Sequence, residues 1–164
     1  MLDFDLDMYL EDLEGLSIQE KLKSLDNLYS ELEDAAAGVL SYRDGISDEF
    51  EARIKAKLNE EMQSFIAERH LEESVSKLKE GWYVVRTAHN PINIYILCSS
   101  GELRISLWLK DIYDNAKRYE MLSSIANKVG IPYKNGSDDV SLEVEEENLL
   151  PTLKDIITKL LVKE

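Results

Sequence analysis

The feature that most constrains the fold is a run of apolar residues near the amino terminus, in which steps of four and three residues alternate. The run continues without a break for three heptads, which is the spacing of a coiled-coil seam. Ser17 and Glu20 stand at its start with the spacing of a capping box, so a helix is predicted to begin there. The seam consists of Ile18, Leu22, Leu25, Tyr29, Leu32, Ala36 and Val39.

A second helix is predicted after a turn, because Asp44-Gly45 supplies turn residues and Ser47 offers a new N-cap. The two helices are expected to form a helical hairpin over residues 17–80. Two helices alone bury their stripes incompletely, so the hairpin is expected to dock on the rest of the chain or, preferably, on a second copy as a homodimer. The second stripe consists of Phe50, Ile54, Leu58, Met62, Phe65, Ile66, Leu71, Val75 and Leu78.

Gly81 marks a change from helical spacing to strand spacing. Aromatic and β-branched residues and an alternating pattern predict four antiparallel strands with one face covered. These strands are expected at 82–89, 93–99, 102–109 and 140–144. Two further apolar stripes, at 112–129 and 149–161, predict the covering helices. The expected fold class is therefore α+β, in the order α-α-β-β-β-α-β-α, with an acidic arm at 1–16, the hairpin at 17–80 and an α+β domain at 81–164.

The charge of the chain limits its partners. The formal net charge is −14, and residues 1–80 hold 21 acids against 9 Lys and Arg. Such a chain is not expected to bind nucleic acid or an anionic membrane directly, whereas a protein with a basic surface suits it. The first 15 residues carry acids without a base, a density that can imitate a nucleic-acid backbone; the plain alternative is a solvated surface. These acids are Asp3, Asp5, Asp7, Glu11, Asp12 and Glu14.

Little in the chain indicates catalysis. Two histidines and the single Cys98 exclude a zinc site that needs several such ligands, and the phosphate-binding and nucleophile motifs of common enzymes are absent from the sequence. No catalytic residue, metal or cofactor is therefore predicted. A lone cysteine, an amino terminus without signal-peptide character and no long apolar stretch favour a cytoplasmic location.

The uncovered face of the predicted sheet is a second candidate binding surface. Arg86, Arg104 and Trp108 are expected there, joined by Tyr83 or Tyr95 according to the strand register. Exposed aromatic and arginine side chains dominate binding hot spots. The alternative is that this face packs against the chain's own hairpin.

Three functions follow from these surfaces. The first is a non-catalytic inhibitor or regulator, of the type that phages and mobile elements encode, which occupies the basic groove of a nucleic-acid-binding enzyme. The second is a dimeric chaperone or adaptor that holds a protein segment on its sheet. The element order after residue 81 and the acidic pI resemble small dimeric secretion chaperones, over about half of the chain and without a matched motif residue. A carboxylate- and metal-dependent enzyme is the remote third alternative.

Overall fold

The computed structural model describes residues 11–79, 81–88, 90–99 and 101–162, and the chain divides into two compact units, residues 1–46 and 47–164. The helices are α1 (Ile18–Glu68), α2 (Asn115–Val129) and α3 (Glu146–Leu161). The strands are β1 (Val75–Lys79), β2 (Trp82–Arg86), β3 (Pro91–Ser99), β4 (Glu102–Leu109) and β5 (Asp139–Val144).

The predicted α+β class is confirmed. The five strands form one antiparallel sheet in the order β1-β2-β3-β4-β5, so each strand pairs with its neighbour in sequence. One register row passes from Tyr83 through Ile94 and Leu107 to Val140. The last predicted strand, whose pairing the sequence left open, is β5 and pairs with β4.

One face of this sheet forms the core of the second unit. On β4, the residues Leu103, Ile105, Leu107 and Leu109 are buried on this inner face, as the alternation predicts. Three helical segments contribute to the same apolar cluster. Their buried residues are Ile54, Leu58, Met62 and Phe65 from α1, Leu122, Ile125, Ala126 and Val129 from α2, and Leu149, Leu150, Leu153, Ile156, Ile157 and Leu160 from α3.

The predicted hairpin is wrong, because α1 continues without interruption from Ile18 to Glu68. Asp44-Gly45 lies within the helix, and Gly45 does not have the positive φ that many glycine turns require. Residues 41–45 contain no proline, and a glycine inside a helix costs only about 1 kcal/mol relative to alanine. The turn signal is therefore too weak to end the helix.

The sheet has five strands rather than the predicted four. The helix ends at Glu68, and His70 adopts a left-handed conformation with φ 53°. The Leu71 N–H donates to the Ile66 carbonyl at 2.9 Å, the long bond of a Schellman helix end. Glycine is the usual residue at this position, so the histidine gives no stop signal. Val75 and Leu78, which the helical spacing assigned to the second helix, lie in β1 instead.

Candidate functional site

The amino-terminal part of α1 begins at the predicted capping box. The Ser17 N–H and hydroxyl donate to Glu20 Oε2 at 2.9 and 2.7 Å, and the Glu20 N–H donates to Ser17 Oγ at 3.4 Å. Bonds from the Ser17 side chain and then its backbone lower the pKa of the Glu20 carboxyl. The first turn of the helix is therefore fixed by local hydrogen bonds, as the sequence predicts.

The predicted seam lies on this exposed part of the helix. Its members are not buried: Ile18 is 79% exposed, Tyr29 67% and Leu25 37%, and Leu22, Leu32 and Val39 are exposed as well. Contiguous apolar surface of this kind marks association sites in proteins. Residues 18–46 of α1 are called the seam segment below.

The described acids of the first unit are exposed to solvent. Glu11, Asp12 and Glu14 are exposed, whereas the predicted site residues Asp3, Asp5 and Asp7 lie outside the described residues. Within the seam segment, residues 24–42 hold no Lys or Arg, and their four acids are exposed. In the described part of the chain none of these four forms an ion pair. They are Asp26, Glu31, Glu33 and Asp34.

These acids and the apolar seam occupy different sides of one helix. With 3.6 residues per turn, Glu20, Glu31 and Asp34 fall opposite the seam, and Asp26 and Glu33 fall on its flank. The only ion pair described in this segment joins Arg43 and Asp44 at 2.8 Å, with both side chains exposed. The seam segment thus presents an apolar face and an acidic face at the same time.

The outer sheet face is the second candidate surface. It carries an aromatic cluster in which the rings of Trp82 and Tyr95 stack at 4.0 Å between centroids, and Trp82 meets Trp108 edge-on at 6.4 Å. Trp108 is 38% exposed, and Trp82 and Tyr95 are partly buried. We call these three residues the aromatic cluster. Its position beside charged side chains fits a protein-binding surface.

The predicted sheet-face residues Arg86, Arg104 and Trp108 lie in different surroundings. Arg104 lies on the same face as Trp108 and pairs with Glu143 at 2.9 Å. Arg86 lies at the end of β2, where its guanidinium donates to Ser76 Oγ at 2.6 Å. Ser106, between Arg104 and Trp108, is hydrogen-bonded to Asp139. Arg104 and Trp108 therefore share the outer face on either side of Ser106, whereas Arg86 is held by β1.

Register decides which tyrosine joins this face. Tyr95 pairs with Ser106 on the outer face, and Tyr83 is buried on the inner face, where its hydroxyl donates to the Leu58 carbonyl at 3.4 Å. Burial raises the pKa of Tyr83 to about 12. Sequence reasoning missed Trp82 as a member of the cluster. Alternation along β2 was the available signal, since Trp82 and Arg86 are separated by four residues and share a face.

The described residues offer no clear catalytic centre. They contain no group of three or more His, Cys, Asp and Glu side chains placed to hold a metal ion. Cys98 lies on the inner side of β3, and burial followed by the Glu51 carboxylate raises the pKa of its thiol, which disfavours the reactive thiolate. Among the described helices, none combines the length and apolar character required to cross a bilayer.

Comparison of the chain with protein-family models, curated proteins and solved structures gave no match. The likeness to secretion chaperones consequently remains one of element order.

Proposed function

We propose that this chain is a non-catalytic, acidic, protein-binding regulator that occupies the basic groove of a nucleic-acid-binding enzyme. The observation that carries the proposal is the base-free stretch 24–42 of the seam segment, whose four acids are exposed and unpaired within the described chain. Exposed, uncompensated negative charge of this kind attracts a basic surface at long range and accelerates association.

The spacing of these charges can be compared with that of DNA. At about 1.5 Å per residue, residues 24–42 extend for about 28 Å, so four acids give about one charge per 7 Å. One DNA strand carries a phosphate about every 3.4 Å along the axis. A single helix therefore supplies about half the linear charge density of one strand, so further contacts have to contribute to binding in a basic groove.

Capture and competition test this proposal. The full chain is immobilised, exposed to a cell lysate, and then washed with duplex DNA. The neutralised variant replaces the four acids as Asp26→Asn, Glu31→Gln, Glu33→Gln and Asp34→Asn. The control variant has the same net charge and replaces exposed acids of the second unit as Glu102→Gln, Asp111→Asn, Glu120→Gln and Glu147→Gln.

The expected result is that nucleic-acid-binding enzymes are captured, that DNA releases them, and that the neutralised variant loses them while the control retains them. Purified enzyme then loses its activity on DNA when the chain is added. Equal capture by both variants, or capture that DNA does not reverse, would contradict the proposal, because a general charge effect changes both variants alike.

The aromatic cluster favours a second candidate, an adaptor or chaperone that holds a protein segment on the outer sheet face. Trp82, Tyr95 and Trp108 offer a rigid apolar platform, and the Arg104–Glu143 pair at its border can exchange partners with a bound segment. This candidate predicts capture that survives high salt and the neutralised variant but is lost in Trp108→Ala. The exposed Tyr113→Ala, outside the cluster, is the matched control.

A further inference from the structure

The apolar side chains of the seam segment are exposed, and no described residue of the chain buries them. Helices in proteins gain most of their stability from packing of an apolar face rather than from intrinsic propensity. This segment also contains Gly38 and Gly45, and glycine weakens a helix interior. Beyond the predicted seam, Leu40 and Ile46 are each 50% exposed. Association with another surface would bury this stripe and stabilise the segment.

The spacing of the apolar residues indicates that the surface which binds this stripe is another helix. The steps of four and three average 3.5 residues, which is the repeat of a left-handed coiled coil. In heptad notation, position a holds Leu22, Tyr29 and Ala36, and position d holds Ile18, Leu25, Leu32 and Val39. Because α1 continues through Gly45, Ile46 falls at the next d position, and Arg43 falls at a. A single charged residue at a can specify register and oligomeric state.

The residues at positions e and g, which flank the apolar stripe, favour a second copy of the chain in parallel orientation as the partner helix. Position g holds Lys21, Leu28 and Ala35, and position e of the following heptads holds Asp26, Glu33 and Leu40. In a parallel pair each g residue meets the e residue of the next heptad on the other helix. Lys21 then lies beside the partner's Asp26, and the remaining pairs contain at most one charge. No pair of like charges arises at these positions.

An antiparallel arrangement is disfavoured by the same residues. It brings e positions against e positions, so that Asp26 lies near the partner's Glu33 or the partner's Asp26. Like charges at such positions are destabilising. We propose that residues 18–46 bind the same residues of a second copy as a parallel, in-register, two-stranded coiled coil.

This dimer has a consequence for the acidic surface, which rests on the proposed function whereas the heptad argument does not. Two parallel helices hold eight acids over the 28 Å of residues 24–42, of which each Asp26 lies beside the partner's Lys21. The six remaining acids give about one charge per 5 Å, compared with one phosphate per about 3.4 Å along one DNA strand. Dimerisation therefore raises the charge density that a basic groove would meet by about half.

Sedimentation velocity of the full chain tests the dimer. The seam variant is Leu25→Lys with Leu32→Lys, and the matched control is Asn27→Lys with Ser30→Lys, which adds the same two charges at exposed positions f and b of the same helix. Wild type and control are expected to be dimers at about 100 μM, where association in the micromolar range is populated, and the seam variant is expected to be a monomer. A monomeric wild type or a dimeric seam variant would overturn the proposal. Tryptophan fluorescence verifies that the second unit is folded in each.

Cysteine cross-linking tests the orientation in a Cys98→Ser background. Val39→Cys is expected to form a disulfide with its own equivalent, because d positions face each other in a parallel pair. A mixture of Leu22→Cys and Val39→Cys should give no mixed dimer, whereas an antiparallel pair gives that product and would refute the parallel sense. Oligomeric state and DNA-reversible capture are separate readouts. A monomeric chain that still captures enzymes would contradict only the dimer proposal, and a dimer that captures none would contradict only the proposed function.

Discussion

The two halves of α1 belong to one helix but present their apolar residues in different ways. In the carboxy-terminal half, Phe50 is partly buried and Ile54, Leu58, Met62 and Phe65 are at most 8% exposed. Their spacing is three steps of four residues and one of three, so the stripe winds around the helix and fits the core of the second unit. The seam segment keeps a strict four-three alternation and stays exposed. The irregular stripe is thus buried in the core of the second unit, and the regular heptad is the surface that we propose for association with another helix.

The largest expected effect comes from shortening a buried residue of the carboxy-terminal half. Leu58→Ala should lower the free energy of unfolding of the second unit by about 2–5 kcal/mol, because it removes buried contacts and leaves a cavity. The matched change Leu25→Ala should alter it by less than about 0.5 kcal/mol, since that side chain is not part of the core of the second unit. Urea unfolding followed by tryptophan fluorescence measures both. Equal effects would show that the two halves do not differ as described.

An intermediate effect is expected from glycines, and it tests the continuity of α1. Gly130→Ala should destabilise the second unit by about 1–2 kcal/mol, because Gly130 ends α2 with φ 78° and a side chain is strained there. Gly45→Ala should instead favour the helix by about 1 kcal/mol. A Cβ at Gly45 meets no atom within 4 Å. Circular dichroism at 222 nm measures the helix content of Gly45→Ala. A loss of helical signal would indicate a turn at Asp44-Gly45, as the hairpin prediction requires.

The smallest effect is expected at the start of the seam segment. Because the folded pKa of Glu20 is lowered, its contribution to helix stability is present at neutral pH and is lost as the pH falls through that folded pKa. Ser17→Ala removes the side-chain bond that contributes most and should flatten this pH dependence. The amide shift of Glu20 across an acid titration reports it. An unchanged titration in Ser17→Ala would mean that Ser17 does not hold the carboxylate.

Sequence predicted the parts of this fold that local patterns determine. The capping box at Ser17 and the alternation of β4 depend on neighbouring residues, and both are confirmed. The end of α1 at Glu68 was missed because His70, rather than the expected glycine, adopts the left-handed conformation that follows the helix. Asp44-Gly45 suggested a turn, but a glycine inside a helix has only a modest propensity cost, so the helix continues through these residues.

The residues of the outer sheet face could be predicted where the pattern lies within one strand, but not where it depends on the register between strands. Arg104 and Trp108 were placed on the outer face by alternation within one strand, whereas the choice between Tyr83 and Tyr95 required the register between strands. Alternation along β2 could have placed Trp82 on the outer face, but its stacking on Tyr95 depends on the register. The face of a residue within one strand can therefore be assigned from sequence, and the contacts of a cluster built from three strands cannot.

Hydrogen exchange of the full chain at low and high protein concentration tests whether the seam segment is an association surface while the rest of α1 belongs to a core. Amides of residues 18–46 are expected to become protected as concentration rises, and amides of residues 54–65 are expected to be protected equally at both concentrations. Protection of residues 18–46 that does not change with concentration would contradict this expectation.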